Sequence, residues 1–184
     1  MPTSATRRAT RAEPARTSRP APDPARRRAS PPTPPVPPRL ALSIQFEPGA
    51  GDCPADRAQL RRWARAALTR DAALALRFVG AAEGRALNRD YRGKDYATNV
   101  LTFAYDEAPA TDGPVQADIV VCLPVVRREA RAQRKTPRDH LAHLVVHGVL
   151  HAQGLDHEDE REAREMEARE VEVLRRFRIA DPYR

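Results

Sequence analysis

The stretch that decides the architecture of this chain is residues 136–157, TPRDHLAHLVVHGVLHAQGLDH. Thr136 is typical of a helix N-cap, and Pro137 follows at the first helical position, where no amide hydrogen is needed. Apolar residues then recur at helical spacing as far as Leu150. Gly154 suits the left-handed conformation that often ends a helix. The stretch therefore predicts a long helix followed by a tight turn.

Outward from this helix, alternating or apolar runs predict four strands, at residues 40–46, 74–79, 99–105 and 116–122. Helical spacing predicts further helices at residues 55–69, through Leu87 and Asn88, from Pro124 to Arg134, and at about 158–178. Because strands and helices are interspersed, we expect an α/β (α+β) fold. It would contain a small mixed four-stranded sheet covered by about five helices, in a single domain.

The first 39 residues differ in composition from the rest. They hold 11 of the 18 prolines, no aromatic residue, and nine arginines against Glu13 and Asp23, which accounts for the whole net charge of +7. So little apolar surface cannot offset an ordering entropy of roughly 1–2 kcal/mol per residue. We expect a disordered tail at 1–39 and a domain at 40–184. A solvated tail, a start codon assigned too early and an electrostatic arm for RNA all fit this composition.

The two cysteines, Cys53 and Cys122, are too few for a disulfide framework. Buried, reduced thiols of this kind are typical of a cytoplasmic protein. No apolar run reaches the roughly 18 residues that a membrane-spanning helix needs, so we expect no membrane association.

All five histidines lie between residues 140 and 157. Residues four apart on a helix are rotated by about 40° and separated by about 6 Å along the axis, so His147 and His151 point from one face. The turn at Gly154 lets His157 fold back toward them. Three neutral imidazoles suit one zinc ion and leave a fourth position open for water or substrate. The pattern predicts a catalytic-type metal site.

Two other histidines complicate this prediction. His143 is also four residues before His147, but three successive helical turns span about 12 Å, too far for one cation. We therefore assign His143 to support of the site or to packing, and His140 to the surface. The pattern does not separate zinc from nickel or another late transition metal, because imidazole binds all of them.

The histidine spacing equals that of the metzincin zinc proteases, HExxHxxGxxH, with one difference. Gly148 stands where those enzymes have the glutamate that deprotonates the metal-bound water. The comparison supports a metal site and argues against proteolysis, although Asp156 or Glu158 could replace that base.

Two segments together resemble the YbeY family of bacterial endoribonucleases and ribosomal-RNA maturation factors. One is HGVLHAQGLDH at 147–157, and the other is LNRDYRGKDYATNVLTF at 87–103. Residues 117–122 and 165–167 are also similar, and the resemblance spans about residues 41–184. Ala97, Thr102 and Ala117 differ from the residues usual in the family, but none of them is a proposed catalytic group.

The resemblance implies a zinc-dependent, single-strand-specific endoribonuclease that acts in maturation of the 16S ribosomal RNA 3′ end and in ribosome quality control. By position it makes His147, His151 and His157 the zinc ligands and Arg92 the functionally important, catalytic arginine. It also implies single-stranded and ribosomal RNA as partners, with proteins of the small ribosomal subunit as further candidates.

Three residues of the second segment suit contact with a phosphate backbone. Arg92 offers a planar fork of donors and Lys94 a second positive charge, while Asn99 could bind the backbone or simply begin a strand. Arg92 could instead form an ion pair with Asp90 or Asp95. The basic run at 127–138 could likewise be an RNA-binding face or only a solvated helix.

Two other functions stay open at this point. One is a metallohydrolase acting on a peptide or small amide. The other is a non-catalytic ribosome-assembly factor with a structural zinc, for which Asp156 could be the fourth ligand. The residues also do not decide whether water or the neighbouring 2′-hydroxyl attacks the phosphorus.

Overall fold

The computed structural model describes residues 36–105, 113–155 and 159–184. Residues 1–35, most of the predicted tail, lie outside this part of the chain, and so does His157. The predicted tail at 1–39 and domain at 40–184 therefore stay predictions. None of the helices in the described ranges is long and apolar enough to cross a membrane.

The described residues form four strands and five helices, as the sequence predicts. In chain order they are β1 (Leu40–Phe46), α1 (Arg57–Ala66), β2 (Ala72–Val79), α2 (Ala81–Arg92), β3 (Val100–Ala104), β4 (Val115–Cys122), α3 (Leu123–Ala132), α4 (Pro137–Ala152) and α5 (Glu160–Arg175). The mixed α/β fold class is confirmed.

The sheet has the strand order β1-β2-β4-β3. Strands β1, β2 and β4 are parallel, whereas β3 runs antiparallel to β4 with Val100 opposite Val121. The amide of Cys122 donates to the carbonyl of Asn99 at 2.9 Å, so the start of β3 lies beside the end of β4. The edge strand thus brings Asn99 to the carboxyl end of a parallel strand, a common location for ligand sites in open α/β sheets.

Helix α4 is the central helix of the domain, in contact with α1, α3, α5, β3 and β4. The amide of Asp139 donates to Thr136 Oγ1 at 3.0 Å, which satisfies one of the unpaired donors of the first turn. Gly154 ends the helical segment with a φ of 87°. The predicted start and end of this helix are confirmed. Because α4 is covered on most sides, its side chains meet groups from several other elements.

The core lies between the sheet and the helices, with Trp63, Phe78 and Leu141 among its fully buried side chains. Cys122 is buried and Cys53 partly buried, and both are free thiols. The buried position predicted for Cys122 is therefore confirmed.

Candidate metal centre

His147 and His151 lie one turn apart on α4, with ring centroids 4.5 Å apart and ring planes at 82°. Both line a pocket of about 460 Å³. Arg92 of α2 also lines it. The remaining lining residues are Asn99, directly before β3, and Val100, Thr102 and Ala104 of β3. Two predicted metal ligands and the predicted catalytic arginine therefore share one pocket. His157, the third predicted ligand, lies outside the described residues.

Helix α5 supplies a carboxylate to this site. Glu170 is 0% exposed, and its Oε1 lies 2.7 Å from Nδ1 of His147. A carboxylate only accepts hydrogen bonds, so Nδ1 is the protonated nitrogen of His147. In the neutral ring Nε2 then carries the lone pair, through which it can bind a metal ion. This carboxylate–imidazole pair is the usual support of a metal-ligating histidine.

The other oxygen of Glu170 is also engaged. His143 Nε2 lies 2.8 Å from Oε2, and the hydroxyl of Tyr183 donates to the same oxygen. Burial by itself raises the pKa of Glu170, but hydrogen bonds from His143, His147 and Tyr183 outweigh it and lower that pKa to about 2. Burial and the bond to Glu170 raise the pKa of Tyr183. Glu170 is therefore a carboxylate and Tyr183 a neutral donor at neutral pH.

The group of His143, His147 and Glu170 could itself hold a metal ion, because one ligand atom from each lies within 4.8 Å of the others. This set differs from the predicted set of His147, His151 and His157. The supporting role predicted for His143 agrees with its bond to Glu170. His147 belongs to both sets.

The prediction that His140 lies on the surface is wrong. Its side chain is 3% exposed, and its Nε2 lies 2.9 Å from Glu129 Oε2 on α3. The same oxygen accepts from Asn99 Nδ2 at 3.0 Å. Helical periodicity alone cannot show which face of α4 another helix covers, and α3 covers this one.

Arg92 lies at the end of α2, where Gly93 caps the helix with a φ of 66°. The alternative ion pairs are taken by other arginines, because Arg85 binds Asp95 at 2.5 Å and Arg89 binds Asp90 at 2.9 Å. Within the described ranges Arg92 forms no ion pair. Its guanidinium is therefore available to a ligand in the pocket.

Asn99 and Lys94 differ in their relation to the pocket. Asn99 lines it, but its Oδ1 accepts from the amide of Val100 at 2.7 Å and its Nδ2 donates to Glu129. Lys94 is exposed and is not one of the lining residues. Asn99 lies directly before β3, and contact of either residue with substrate stays a prediction.

The structure explains the glycine at position 148. A Cβ atom added there would lie 2.7 Å from Cγ2 of Ile119 and 3.3 Å from Oγ1 of Thr102. The close contact between α4 and β4 therefore excludes the glutamate found at this position in metzincins. This strengthens the argument against a metzincin-type peptidase.

Glu170, Glu129 and Tyr183 were missed from the sequence. Only Glu170 had a usable signal, because it follows Met166 by four residues and precedes Leu174 by four. That spacing places a glutamate on the apolar face of an otherwise charged helix, where a buried carboxylate needs partners.

The fold and this site define an α/β domain with a candidate metal centre of histidines and a buried carboxylate. Residues 52–178 match the family model described as Endoribonuclease YbeY. Endoribonuclease YbeY of Cupriavidus pinatubonensis is 58% identical over 154 residues, covering 83% of this chain and 76% of the relative. That of Paraburkholderia phymatum is 55% identical over 150 residues, covering 79% and 97%. A protein of Thermotoga maritima with a solution structure aligns with a TM-score of 0.49 and 26% identity, covering 74% of this chain and 91% of that one.

The chain belongs to the endoribonuclease YbeY family. The resemblance noted in the two sequence segments is therefore confirmed. An endoribonuclease is a hydrolase that acts on RNA, so the predicted enzyme class is confirmed as well.

Proposed function

We propose that this protein is a zinc-dependent endoribonuclease specific for single-stranded RNA. The observation that supports this most directly is the bond between Glu170 and His147, since it prepares one imidazole for a metal in the pocket that contains Arg92. His147, His151 and His157 would hold a single zinc ion. Imidazole donors with an anionic partner fit zinc or another late transition metal.

The bound zinc would supply a Lewis acid for a phosphate oxygen or for a water molecule. The chain's own side chains bind the phosphate and orient the metal ligand. Arg92 binds the phosphate and offsets charge that develops on it. Glu170 keeps the proton on Nδ1 of His147 and so holds the ring in one orientation.

The biological role that we propose rests on the family resemblance. We infer that the enzyme acts in the cytoplasm, in maturation of the 16S ribosomal RNA 3′ end and in ribosome quality control, with small-subunit proteins as candidate partners. Lys94 and Asn99 are proposed contacts of the RNA backbone.

The test is cleavage of an end-labelled single-stranded RNA and of its duplex by the zinc-loaded protein. His147→Ala is the test variant, and Arg62→Ala, an exposed arginine of α1, is the control purified in the same way. We expect the wild type and the control to cut the single strand, and the folded His147→Ala variant to cut neither RNA. Equal cutting by all three would identify a contaminating nuclease.

The product ends, the absence of cutting and a parallel casein assay separate the alternatives. Products that end in a 2′,3′-cyclic phosphate would identify the 2′-hydroxyl as the attacking group. No cutting by the zinc-loaded wild type would favour the non-catalytic assembly factor, and cleavage of casein instead would favour a peptide hydrolase.

A further inference from the structure

A second cleft, of about 480 Å³, lies beside the candidate metal centre. It is lined by residues of α3, α4, α5 and the C-terminal segment. It shares Asn99, Val100 and His147 with the pocket that contains Arg92 and His151. A ligand bound at the metal centre would therefore extend directly into this cleft.

The cleft contains polar atoms without partners in the described part of the chain. His140 is 97% buried, and its Nδ1 makes no hydrogen bond there, nor does Nδ1 of His143. Within the same ranges, Oε1 of Glu129 accepts no hydrogen bond and the side-chain Nε2 of Gln133 donates none. Buried polar groups are normally paired, so the two histidine nitrogens are exceptions. The partly exposed Glu129 and the exposed Gln133 offer an acceptor and a donor to a ligand in this cleft.

The charges of the two pockets indicate which part of an RNA each one would take. The cleft contains the carboxylates of Glu129, Glu167 and Glu170. Among its described lining residues, the one Lys or Arg is Lys135, which donates to Gln133 Oε1 and to the carbonyl of Pro182. A phosphate would be repelled here. The Arg92 pocket has no acidic lining residue in the described ranges and suits the phosphate.

The walls of the cleft suit a flat, uncharged ring. Leu144 and Met166 contribute apolar surface, and the ring of Tyr183, 46% exposed, offers an aromatic face. Flat heterocycles with donors and acceptors at their edges bind by this combination of stacking and hydrogen bonding.

We propose that this cleft binds the base of a nucleotide adjacent to the cleaved linkage, while its phosphate lies at the Arg92 pocket. This inference rests on the proposed function. Glu129 Oε1 accepts from the base and Gln133 Nε2 donates to it. The cleft is thus a subsite that positions one nucleotide and favours unpaired RNA, since a paired base would first have to break its pairing and stacking to enter.

The test compares the binding of intact RNA and of RNAs that lack one base. The comparison is made for the wild type and for a variant whose larger side chain fills the cleft. The cut in a short single strand is mapped first, and each base near it is then removed in turn. The filled variant is Ala163→Phe, because Ala163 lines the cleft. The control is Ala168→Phe, an exposed alanine of the same helix that does not line it. Binding is measured by fluorescence anisotropy with the metal removed, and cleavage with zinc added.

We expect loss of one base, at one position beside the cut, to weaken binding to the wild type about tenfold, in the range that a stacked base contributes. Ala163→Phe should weaken binding of the intact RNA by a similar factor and be insensitive to that base. Ala168→Phe should behave as the wild type does. Thermal unfolding of each variant shows that it is folded.

The inference is overturned if folded Ala163→Phe keeps the wild-type difference between intact and abasic RNA. If that variant does not fold, the same comparison is made with Gln133→Ala, a truncation of an exposed residue. Reduced sensitivity to the base would support the inference, and unchanged sensitivity would overturn it. A wild type that neither binds nor cuts any single strand would overturn the proposed function itself.

Discussion

Glu170 and His147 form the central pair of the candidate metal centre, with Oε1 of the glutamate 2.7 Å from Nδ1 of the histidine. The carboxylate is fully buried, so water cannot replace this contact. Glu170 thereby links the metal centre on α4 to α5 and, through Tyr183, to the C-terminal segment.

The first prediction concerns this pair directly. Glu170→Gln should weaken zinc binding by about 10–100-fold, because a neutral amide polarises the imidazole less and turns one acceptor into a donor. Zinc affinity is measured by competition with a chelator. Glu165→Gln, an exposed glutamate of the same helix, is the control and should bind zinc as the wild type does. Equal zinc affinity of the two variants would show that Glu170 does not support a metal ligand.

The second prediction concerns the hydroxyl that binds Glu170. Tyr183→Phe should lower the free energy of unfolding by about 1–3 kcal/mol, because a buried carboxylate loses one donor. Zinc binding should weaken less than in Glu170→Gln, since the bond to His147 remains. Urea unfolding and chelator competition measure the two effects. Tyr96→Phe, at an exposed tyrosine, is the matched control, and equal stability of both variants would contradict the prediction.

The third prediction concerns the phosphate-binding role of Arg92. Arg92→Ala should reduce RNA cleavage by about 100-fold, as the loss of one charge-stabilising donor does in other active sites. Zinc affinity should not change, because the resemblance assigns no metal contact to this arginine. Cleavage rates are compared with those of Arg62→Ala. A variant that loses zinc and activity together would place Arg92 in support of the metal instead.

The fourth prediction concerns the close packing of α4 on the sheet. Gly148→Ala should destabilise the protein by about 1–3 kcal/mol, because its Cβ would lie 2.7 Å from Ile119 Cγ2. Gly148→Glu should destabilise it further and should not create a peptidase. A Cβ at Gly113 would meet no atom of the described residues within 4 Å, so Gly113→Ala should be nearly neutral. Urea unfolding measures stability and casein cleavage measures peptidase activity. A stable Gly148→Glu variant would contradict the packing argument.

The fifth prediction concerns pH and His140. Burial lowers the pKa of His140 below its ordinary value of 6.5, and this outweighs the opposite effect of Glu129. Between this lowered pKa and pH 6.5, the unfolded state therefore binds more protons at His140 than the folded state does. Stability from this group is present above pH 6.5 and is lost as the pH falls from there toward the folded pKa.

Urea unfolding of the metal-free protein between pH 7.5 and 5.5 measures this effect. His140→Gln keeps a donor for Glu129 but does not titrate, so its stability should decline less over this interval than that of the wild type. The two proteins differ only at residue 140, so the difference between their slopes reports on that residue. Identical pH slopes would show that His140 is not the group responsible.

The local features of the fold could be predicted because they depend on neighbouring residues. The cap at Thr136, the left-handed Gly154 and the alternation in β1 reflect short-range sterics and hydrogen bonds. The pairing of His147 with His151 follows from the period of a helix in the same way. These features needed no knowledge of what packs against them.

The rest of the site could not be predicted because it joins residues far apart in the chain. Glu129 and His140 meet because α3 packs against α4, and Glu170 meets His147 because α5 does. Helical periodicity shows which residues share a face of α4, but not which element packs on that face. His140 was assigned to the surface for this reason.

By itself, the sequence determined the fold class, the central helix and two histidines that face one pocket. Family membership followed from two segments of the chain. Only the tertiary structure decided that Gly148 has no room for a side chain, that Glu170 binds His147, and that a second cleft adjoins the site. The physical reason is the distance along the chain between interacting residues. Helical periods and caps depend on residues a few positions apart, whereas burial and polar partners depend on which elements the fold brings together.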